Sequence, residues 1–265
     1  MLLIAIACSA GRQDTAVHEE EEPPPSFSLE QAFYVHDRPY DLAQHPDGRI
    51  FSSAQAGGRV YTWMPGDELS EELEQDFGNV QGIAFIGERL YFTTSDFGVT
   101  GTVSVLGDGG TEVLATQSAD GTLLRWPADM VPDGDGGLWI ADFEAGALFH
   151  MGADGGLSLH GAGSSAPEAL AIRDGSVFIG GEDGIWVKDG LGLPEKLYDT
   201  PAIGLELADG ELWAVHPSAG LFRPGHGAAP LSGTNRPASI LRAENGFYIA
   251  DRVGQWVWKA LVDTE

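Results

Sequence analysis

The residues best suited to recognise a ligand are a few arginines and aromatic residues that lie far apart in the sequence. Arg236, which follows Asn235, and Arg252 carry guanidinium groups that can bind a carboxylate through two parallel hydrogen bonds. Trp126 and Tyr40 each combine an apolar ring with a polar tip. Together they are suited to a carboxylate or a sugar, if the fold gathers them. The alternative use of the arginines is in surface ion pairs.

The sequence has no motif for nucleophilic or phosphate chemistry. There is no Gly-x-Ser-x-Gly and no phosphate-binding loop. The one cysteine, Cys8, precedes the segment that is expected to fold, and a single cysteine excludes an internal disulfide.

The chain repeats one unit six times, and this repeat predicts how distant residues are brought together. Each copy has an apolar strand, an Asp-Gly or related turn, an aliphatic-aromatic strand and a glycine that leads to a further strand. Successive second strands begin 35 to 48 residues apart, a period typical of β-propellers. The turns and second strands are Asp47–Phe51, Gly87–Tyr91, Asp135–Trp139, Asp174–Phe178, Asp209–Trp213 and Glu244–Tyr248.

The two ends of the chain predict how the ring closes. The sixth copy stops at Glu265 soon after its third strand, and Ser26–Val35 precedes the first copy without a unit of its own. We expect Ser26–Val35 to be the outer strand of the last blade, which would cover exposed strand edges. The sequence therefore predicts an all-β fold, a six-bladed β-propeller over residues 26–265 closed by an N-terminal strand. The alternative is an irregular β-sandwich of hairpins.

In such a ring, the loops before the first strands and those between second and third strands share one face, around the channel mouth. Asp41 and Asp129 stand one residue beyond the strand openings, so their side chains should point to another side unless the backbone shifts register. His216 lies in one of these loops, and a lone histidine is more often a packing or solvated residue than a catalytic one. The predicted ligand-binding residues on this face are Tyr40, Asp41, Gln81, Trp126, Arg236 and Arg252.

Two copies carry a fuller motif. Trp126–Asp142 and Arg236–Asp251 start with a Pro-x-x-apolar opening and end with Ile-Ala-Asp after the turn. This pattern resembles the SMP-30/gluconolactonase superfamily and the related NHL-repeat proteins, and the resemblance extends over residues 26–265 as an architecture.

The resemblance implies a calcium ion at the channel mouth, held by side-chain oxygens. At the matching positions only Glu168 and Gln81 offer such oxygens, so they are the predicted metal ligands. In a calcium-assisted lactonase, Asp129 or His216 would be the catalytic base. The alternative is that Glu168 and Asp129 are solvated acids at a wet channel mouth.

Charge argues against one class of partner. The 265 residues include 40 acidic and 14 basic residues, a formal net charge of -26. Such a chain repels phosphate backbones and has no basic stripe to overcome this, so no nucleic-acid partner is expected.

The first 25 residues differ from the rest of the chain. Residues 1–8 form an apolar run that ends at Cys8 and resembles a bacterial lipoprotein signal with its lipidated cysteine. Residues 9–25 are acidic and Pro-rich, as in an extended tether. The alternative is a disordered apolar end with a chance cysteine.

These features predict an envelope-anchored propeller, attached to the membrane by lipid, that binds a small molecule or a protein partner at its channel face. No cofactor is established by the sequence, and calcium is the candidate. The alternative function is a divergent calcium-dependent lactonase of the SMP-30/gluconolactonase type.

Overall fold

A computed structural model describes residues 26–67, 70–73, 77–190, 192–226 and 228–262. They form six four-stranded antiparallel sheets, which confirms the predicted six-bladed β-propeller. The predicted signal at residues 1–8, the lipidation site Cys8 and the tether at residues 9–25 lie outside the described residues. Within the described ranges, no helix has the length and apolar character needed to cross a membrane.

In each of the first five blades the strands follow one another outward from the channel, as expected for hairpin-linked sheets. Blades 1 to 3 contain β2 (Pro39–Gln44), β3 (Ile50–Ala54), β4 (Arg59–Trp63) and β5 (Glu71–Glu72), then β6 (Val80–Ile86), β7 (Arg89–Ser95), β8 (Gly101–Gly107) and β9 (Gly110–Ala115), then β10 (Pro127–Pro132), β11 (Leu138–Asp142), β12 (Ala147–Met151) and β13 (Leu157–Gly161). Blades 4 and 5 contain β14 (Pro167–Arg173), β15 (Ser176–Gly181), β16 (Gly184–Asp189) and β17 (Glu195–Tyr198), then β18 (Gly204–Ala208), β19 (Glu211–His216), β20 (Gly220–Phe222) and β21 (Ala228–Ala229).

The sixth blade joins the two ends of the described chain, as predicted. It contains β22 (Pro237–Ala243), β23 (Gly246–Asp251), β24 (Trp256–Val262) and, on the outside, β1 (Phe27–Tyr34). β1 runs antiparallel to β24, with Phe27 opposite Val262 at one end and Tyr34 opposite Trp256 at the other. The ring is therefore closed by pairing the first strand with the last.

The recurring aromatic residues pack between neighbouring blades. Phe33, at the end of β1, stacks on Trp63 of blade 1 at a ring-centroid distance of 4.9 Å, and Trp63 meets Tyr248 of blade 6 edge-on at 5.7 Å. Phe149 and Phe222 are fully buried in two other such layers. Burial of aromatic side chains between neighbouring sheets is the main apolar stabilisation of the propeller.

Candidate functional site

The first strands change register where they leave the channel mouth, and this shift aims the candidate side chains. In β14, Pro167 pairs with Gly181 and Ala169 pairs with Gly180, so Glu168 is an extra residue without a cross-strand partner. Five of the six first strands have such a shift, and β18 does not. A β-bulge of this type re-aims the side chain of the extra residue.

The bulges also decide how Asp41 and Asp129 are oriented. Both were expected to point away from the channel unless the register shifted, and the shift is present in β2 and β10. Both carboxyl groups line the central cavity as a result. The cavity has a volume of ≈ 220 Å³, and Arg252 and Glu168 are part of its lining. Its polar lining consists of Tyr40, Asp41, Gln44, Asp129, Glu168, Glu206, Ser239 and Arg252.

Arg252 and Tyr40 form one wall of the cavity. The Arg252 guanidinium carbon lies 4.3 Å from the centroid of the buried Tyr40 ring, a cation–π contact. Burial raises the pKa of the Tyr40 phenol, although the Arg252 charge and a hydrogen bond from Trp126 oppose this. Tyr40 therefore stays a neutral phenol at physiological pH, and Arg252 keeps its charge beside it.

Glu168 faces this wall as an uncommitted carboxyl group. It makes no hydrogen bond and no direct ion pair with the residues that the structure describes. Burial raises its pKa; the charges of Arg252 and Arg236 lower it, and the charge of Glu182 raises it further. A half-buried carboxyl group with a raised pKa in a cleft is a candidate for acid–base chemistry.

A chain of amide contacts fixes Arg252 and Gln81. Arg252 Nη2 donates to Gln55 Oε1 over 3.4 Å, and Gln55 Nε2 donates to Gln81 Oε1 over 3.0 Å. Gln81 Nε2 in turn donates to the carbonyl oxygen of Asn79 over 3.4 Å. The side-chain oxygen of Gln81, Oε1, is a predicted calcium ligand, and it already accepts a hydrogen bond from Gln55.

The described residues at the channel mouth supply few of the ligands that a calcium ion needs. No cluster of three or more His, Cys, Asp or Glu side chains with a geometry for metal binding occurs among the described residues. The charges of Arg252, Glu182 and Arg236 act on Glu168, and Gln81 Oε1 already accepts a hydrogen bond from Gln55. Calcium needs six or more oxygen ligands. This donor set instead suits a carbonyl or carboxylate oxygen bound to Arg252, and the predicted metal role of Glu168 and Gln81 stays a prediction.

Asp41 and Asp129 join neighbouring blades. Asp41 accepts backbone hydrogen bonds from Leu42 in its own strand and from Ile83 in blade 2, both at 2.8 Å. It also accepts one from the Ser239 hydroxyl of blade 6 at 2.7 Å. Asp129 repeats the pattern between blades 3 and 4, with Met130 N and Leu170 N at 2.6 Å. These carboxyl groups satisfy backbone N–H groups at the inner strand edges.

Glu206 plays the same part between blades 5 and 6, and the sequence reasoning missed it. Its carboxyl group accepts hydrogen bonds from the backbone N–H groups of Leu207 and Arg242. Glu206 lies two residues further along its strand than Asp41 does in the first blade. Burial raises the pKa of Glu206 to about 7 and that of Asp41 to about 6. Burial also raises the pKa of Asp129 well above its usual range, and the charge of Asp41 adds to this. The signal available in the sequence was that the inner strand of blade 5, like those of blades 1 and 3, contains an acidic residue.

His216, a candidate base, lies outside the cavity lining. Its Nδ1 is 2.8 Å from the Ser218 hydroxyl oxygen, and its Nε2 is 3.6 Å from a carboxylate oxygen of Glu182. Glu182 is exposed and is one of the charges that act on Glu168. The structure thus connects His216 to Glu168 only through Glu182. Asp129, the other candidate base, has both oxygens in backbone hydrogen bonds.

Trp126 and Arg236 are held in place by the Asp residues that end two second strands. Asp142 accepts hydrogen bonds from Arg125 N at 2.7 Å and Trp126 N at 2.9 Å. Asp251 accepts from Arg236 N at 2.8 Å in the equivalent place. Both Asp side chains are fully buried. The Ile-Ala-Asp ends of the two fuller motifs therefore fix the loops that carry Trp126 and Arg236.

Comparison with solved structures supports the fold. A gluconolactonase from Xanthomonas campestris superposes with a TM-score of 0.72 at 16% identity, covering 92% of this chain and 96% of that chain. Virginiamycin B lyase from Staphylococcus aureus superposes with a TM-score of 0.64 at 12% identity, covering 90% and 100%. Identities this low establish a shared fold and leave the activity open.

Sequence comparison gives a partial match. Virginiamycin B lyase from Nocardia farcinica is 26% identical over 141 residues, which is 53% of this chain and 47% of that protein. The alignment thus spans about half of each protein. No protein-family model matches the chain. The chain has the six-bladed propeller fold of gluconolactonase-like and virginiamycin B lyase structures, as the sequence motifs predicted.

Proposed function

We propose that the channel mouth is the active site of an enzyme that opens a lactone ring without a metal ion. The observation that carries this proposal is the Glu168 carboxyl group, which faces the Arg252 guanidinium across the cavity mouth without bonding to it. The similarity to a gluconolactonase and to virginiamycin B lyases supports a ring-opening role over simple ligand binding.

The proposed reaction is hydrolysis, with water as the second reactant. Glu168 in its charged form takes a proton from water as the oxygen adds to the lactone carbonyl carbon. Arg252 donates hydrogen bonds to the carbonyl oxygen as it becomes negative. The ring C–O bond then breaks, and Glu168 returns the proton to the departing oxygen, which gives a hydroxy acid. The charge of Arg236 also acts on Glu168, so Arg236 lies near enough to attract the carboxylate group of the product.

The pH dependence of this reaction follows from the state of Glu168. The base must be deprotonated, and burial raises its pKa above the ordinary range for glutamate. We therefore expect kcat/KM to rise with pH through this raised pKa.

The test is turnover of a lactone panel that includes gluconolactone, with the full chain and three variants. Glu168→Gln keeps the shape and should lower kcat at least about 100-fold, and Arg252→Gln should lower it by a similar factor. Glu88→Gln, at a hairpin turn on the opposite face, is the control and should match the parent. Loss of turnover in EDTA with recovery on adding calcium would instead support the calcium-dependent lactonase.

A second candidate function is binding without turnover, which the two arginines favour. Neither Arg236 nor Arg252 forms an ion pair with an acidic side chain among the described residues. In that case gluconate should bind in an isothermal titration and Arg252→Gln should abolish the binding, while no lactone is opened. This second candidate function includes attachment to the cell envelope and the binding of a protein partner on the same face.

A further inference from the structure

We propose that a groove beside the channel mouth is a binding subsite for a flat aromatic group of the ligand whose polar end lies at Glu168 and Arg252. The groove has a volume of ≈ 550 Å³ and lies between blades 1, 2 and 3. That the ligand is an aromatic lactone rests on the proposed function. The existence of an aromatic subsite in the groove can be tested separately. The lining consists of Arg38, Gln55, Ala56, Gly57, Gly58, Gly78, Asn79, Phe97 and Trp126.

The lining of the groove combines two aromatic side chains with several small residues. Phe97 comes from the β7–β8 loop and Trp126 from the loop before β10. Ala56, Gly57 and Gly58 add almost no side-chain bulk between them. A groove lined by two aromatic rings and by small residues can accept a planar group, since rings gain most from offset or edge contacts with other rings.

Phe97 is held in a conformation that calls for an explanation. Its φ is +45° and that of Gly98 is +80°, so the turn Asp96–Val99 has left-handed geometry at both central positions. Such turns favour Asn, Asp or Gly, and a bulky residue there is uncommon. The side chain is also 79% exposed, so burial does not offset the backbone strain. An exposed ring in a strained turn beside a groove indicates a role in binding.

The groove adjoins the proposed active site, because two residues of its lining contact residues of the cavity lining. Gln55 lines the groove and accepts the hydrogen bond from Arg252, which lines the cavity. Trp126 lines the groove and donates to Tyr40, which also lines the cavity. A single small molecule can therefore have its polar end at Arg252 and its ring against Trp126.

Arg38 gives the groove a positive charge. It is exposed and forms no ion pair with the residues described. The ring accepted by the groove can therefore carry a polar or anionic substituent, whereas a cationic substituent would be repelled.

The experiment compares two six-membered lactones that differ by a fused benzene ring, dihydrocoumarin and δ-valerolactone. Binding is measured by isothermal titration to the full chain in a Glu168→Gln background, so that ring opening does not consume the ligand. Dihydrocoumarin should bind about 3–10-fold more tightly. Phe97→Asn should remove this preference, and Val253→Asn, which changes an exposed apolar residue of the same face outside the groove, should retain it.

Melting supplies a second readout. Asn tolerates positive φ, so Phe97→Asn should raise the Tm by about 2–4 °C while the aromatic preference is lost. The inference is overturned if the parent shows no aromatic preference, if Phe97→Asn keeps it or melts no higher, or if Val253→Asn loses it equally. If the preference holds but the parent opens neither lactone, the proposed enzyme fails and the aromatic subsite stands.

Discussion

The buried carboxyl groups between blades predict that the fold loses stability as the pH rises from 4 to 7. Asp41 is fully surrounded by protein in the channel wall, and its pKa rises from 3.8 to about 6 because burial disfavours the charged form. Between these pH values the folded protein keeps the proton and the unfolded chain releases it. Raising the pH therefore favours the unfolded chain.

The size of the effect follows from the shift. One pKa unit corresponds to about 1.4 kcal/mol, so Asp41 lowers the free energy of unfolding by about 3 kcal/mol between pH 4 and 7. Glu206, whose pKa rises from 4.5 to about 7, contributes a similar amount. The two charges repel each other, so the sum falls short of additive. For a domain of this size, about 3 kcal/mol corresponds to a Tm change of about 6–12 °C.

The assay is differential scanning calorimetry at constant ionic strength from pH 4.5 to 7.5. The parent should melt highest near pH 4.5 and lower at each step upward. Asp41→Asn cannot ionise, so its Tm should fall less steeply over this range, by the share due to Asp41. The comparison of slopes removes the effect of the general negative charge, which both proteins share.

Asp47→Asn is the matched control. Asp47 is exposed at a hairpin turn, and hydrogen bonds, the largest from the Arg49 backbone, lower its pKa to about 2. Its contribution has the opposite sign and is lost only below pH 4. The Asp47→Asn slope between pH 4.5 and 7.5 should equal that of the parent. Parallel curves for the parent and Asp41→Asn would refute the account of the inter-blade carboxyl groups.

Two further predictions concern the start of the chain. Deleting residues 26–36 removes β1 with the buried Phe33 and Val35, so cooperative melting should be lost; a truncated chain with the parental Tm would show that the ring closes without β1. Expression in a bacterium with labelled palmitate should label the parent and leave Cys8→Ser unlabelled, and equal labelling of both would rule out lipidation at Cys8.

The architecture was predictable because each blade repeats the same local sequence features. Turn glycines, alternating apolar strands and a constant period together exclude most other arrangements. The outer strands were harder to place, since an edge strand exposed to solvent has little apolar pattern. The outer strands of blades 1 and 5 are short, Glu71–Glu72 and Ala228–Ala229, and Glu71–Glu72 has no apolar residue.

The site was predictable only in part. The sequence pointed to Tyr40, Glu168 and Arg252, which the fold brings together in the lining of one cavity. It gave no sign of the bulges, which depend on pairing between strands and determine where Glu168 points. Glu206 was missed because it lies three residues beyond the strand position that Glu168 and Gln81 occupy in their own copies. Such registers come from three-dimensional pairing and leave no local signal.

Charge is arranged in layers along the channel, and this arrangement determines how deep a ligand can go. Arg252 lies at the mouth. Asp41 and Asp129 lie one residue beyond the position that Tyr40 and Glu168 occupy in their inner strands, and Glu206 lies deeper. Burial favours the neutral form of Asp129, whereas Asp41, whose pKa is about 6, is mostly charged at neutral pH. In the proposed site, a carbonyl or carboxylate group would be attracted by the Arg252 guanidinium and repelled by the Asp41 carboxylate further in. The charge that makes Asp41 destabilise the fold at neutral pH would therefore also keep an anionic ligand at the level of Glu168.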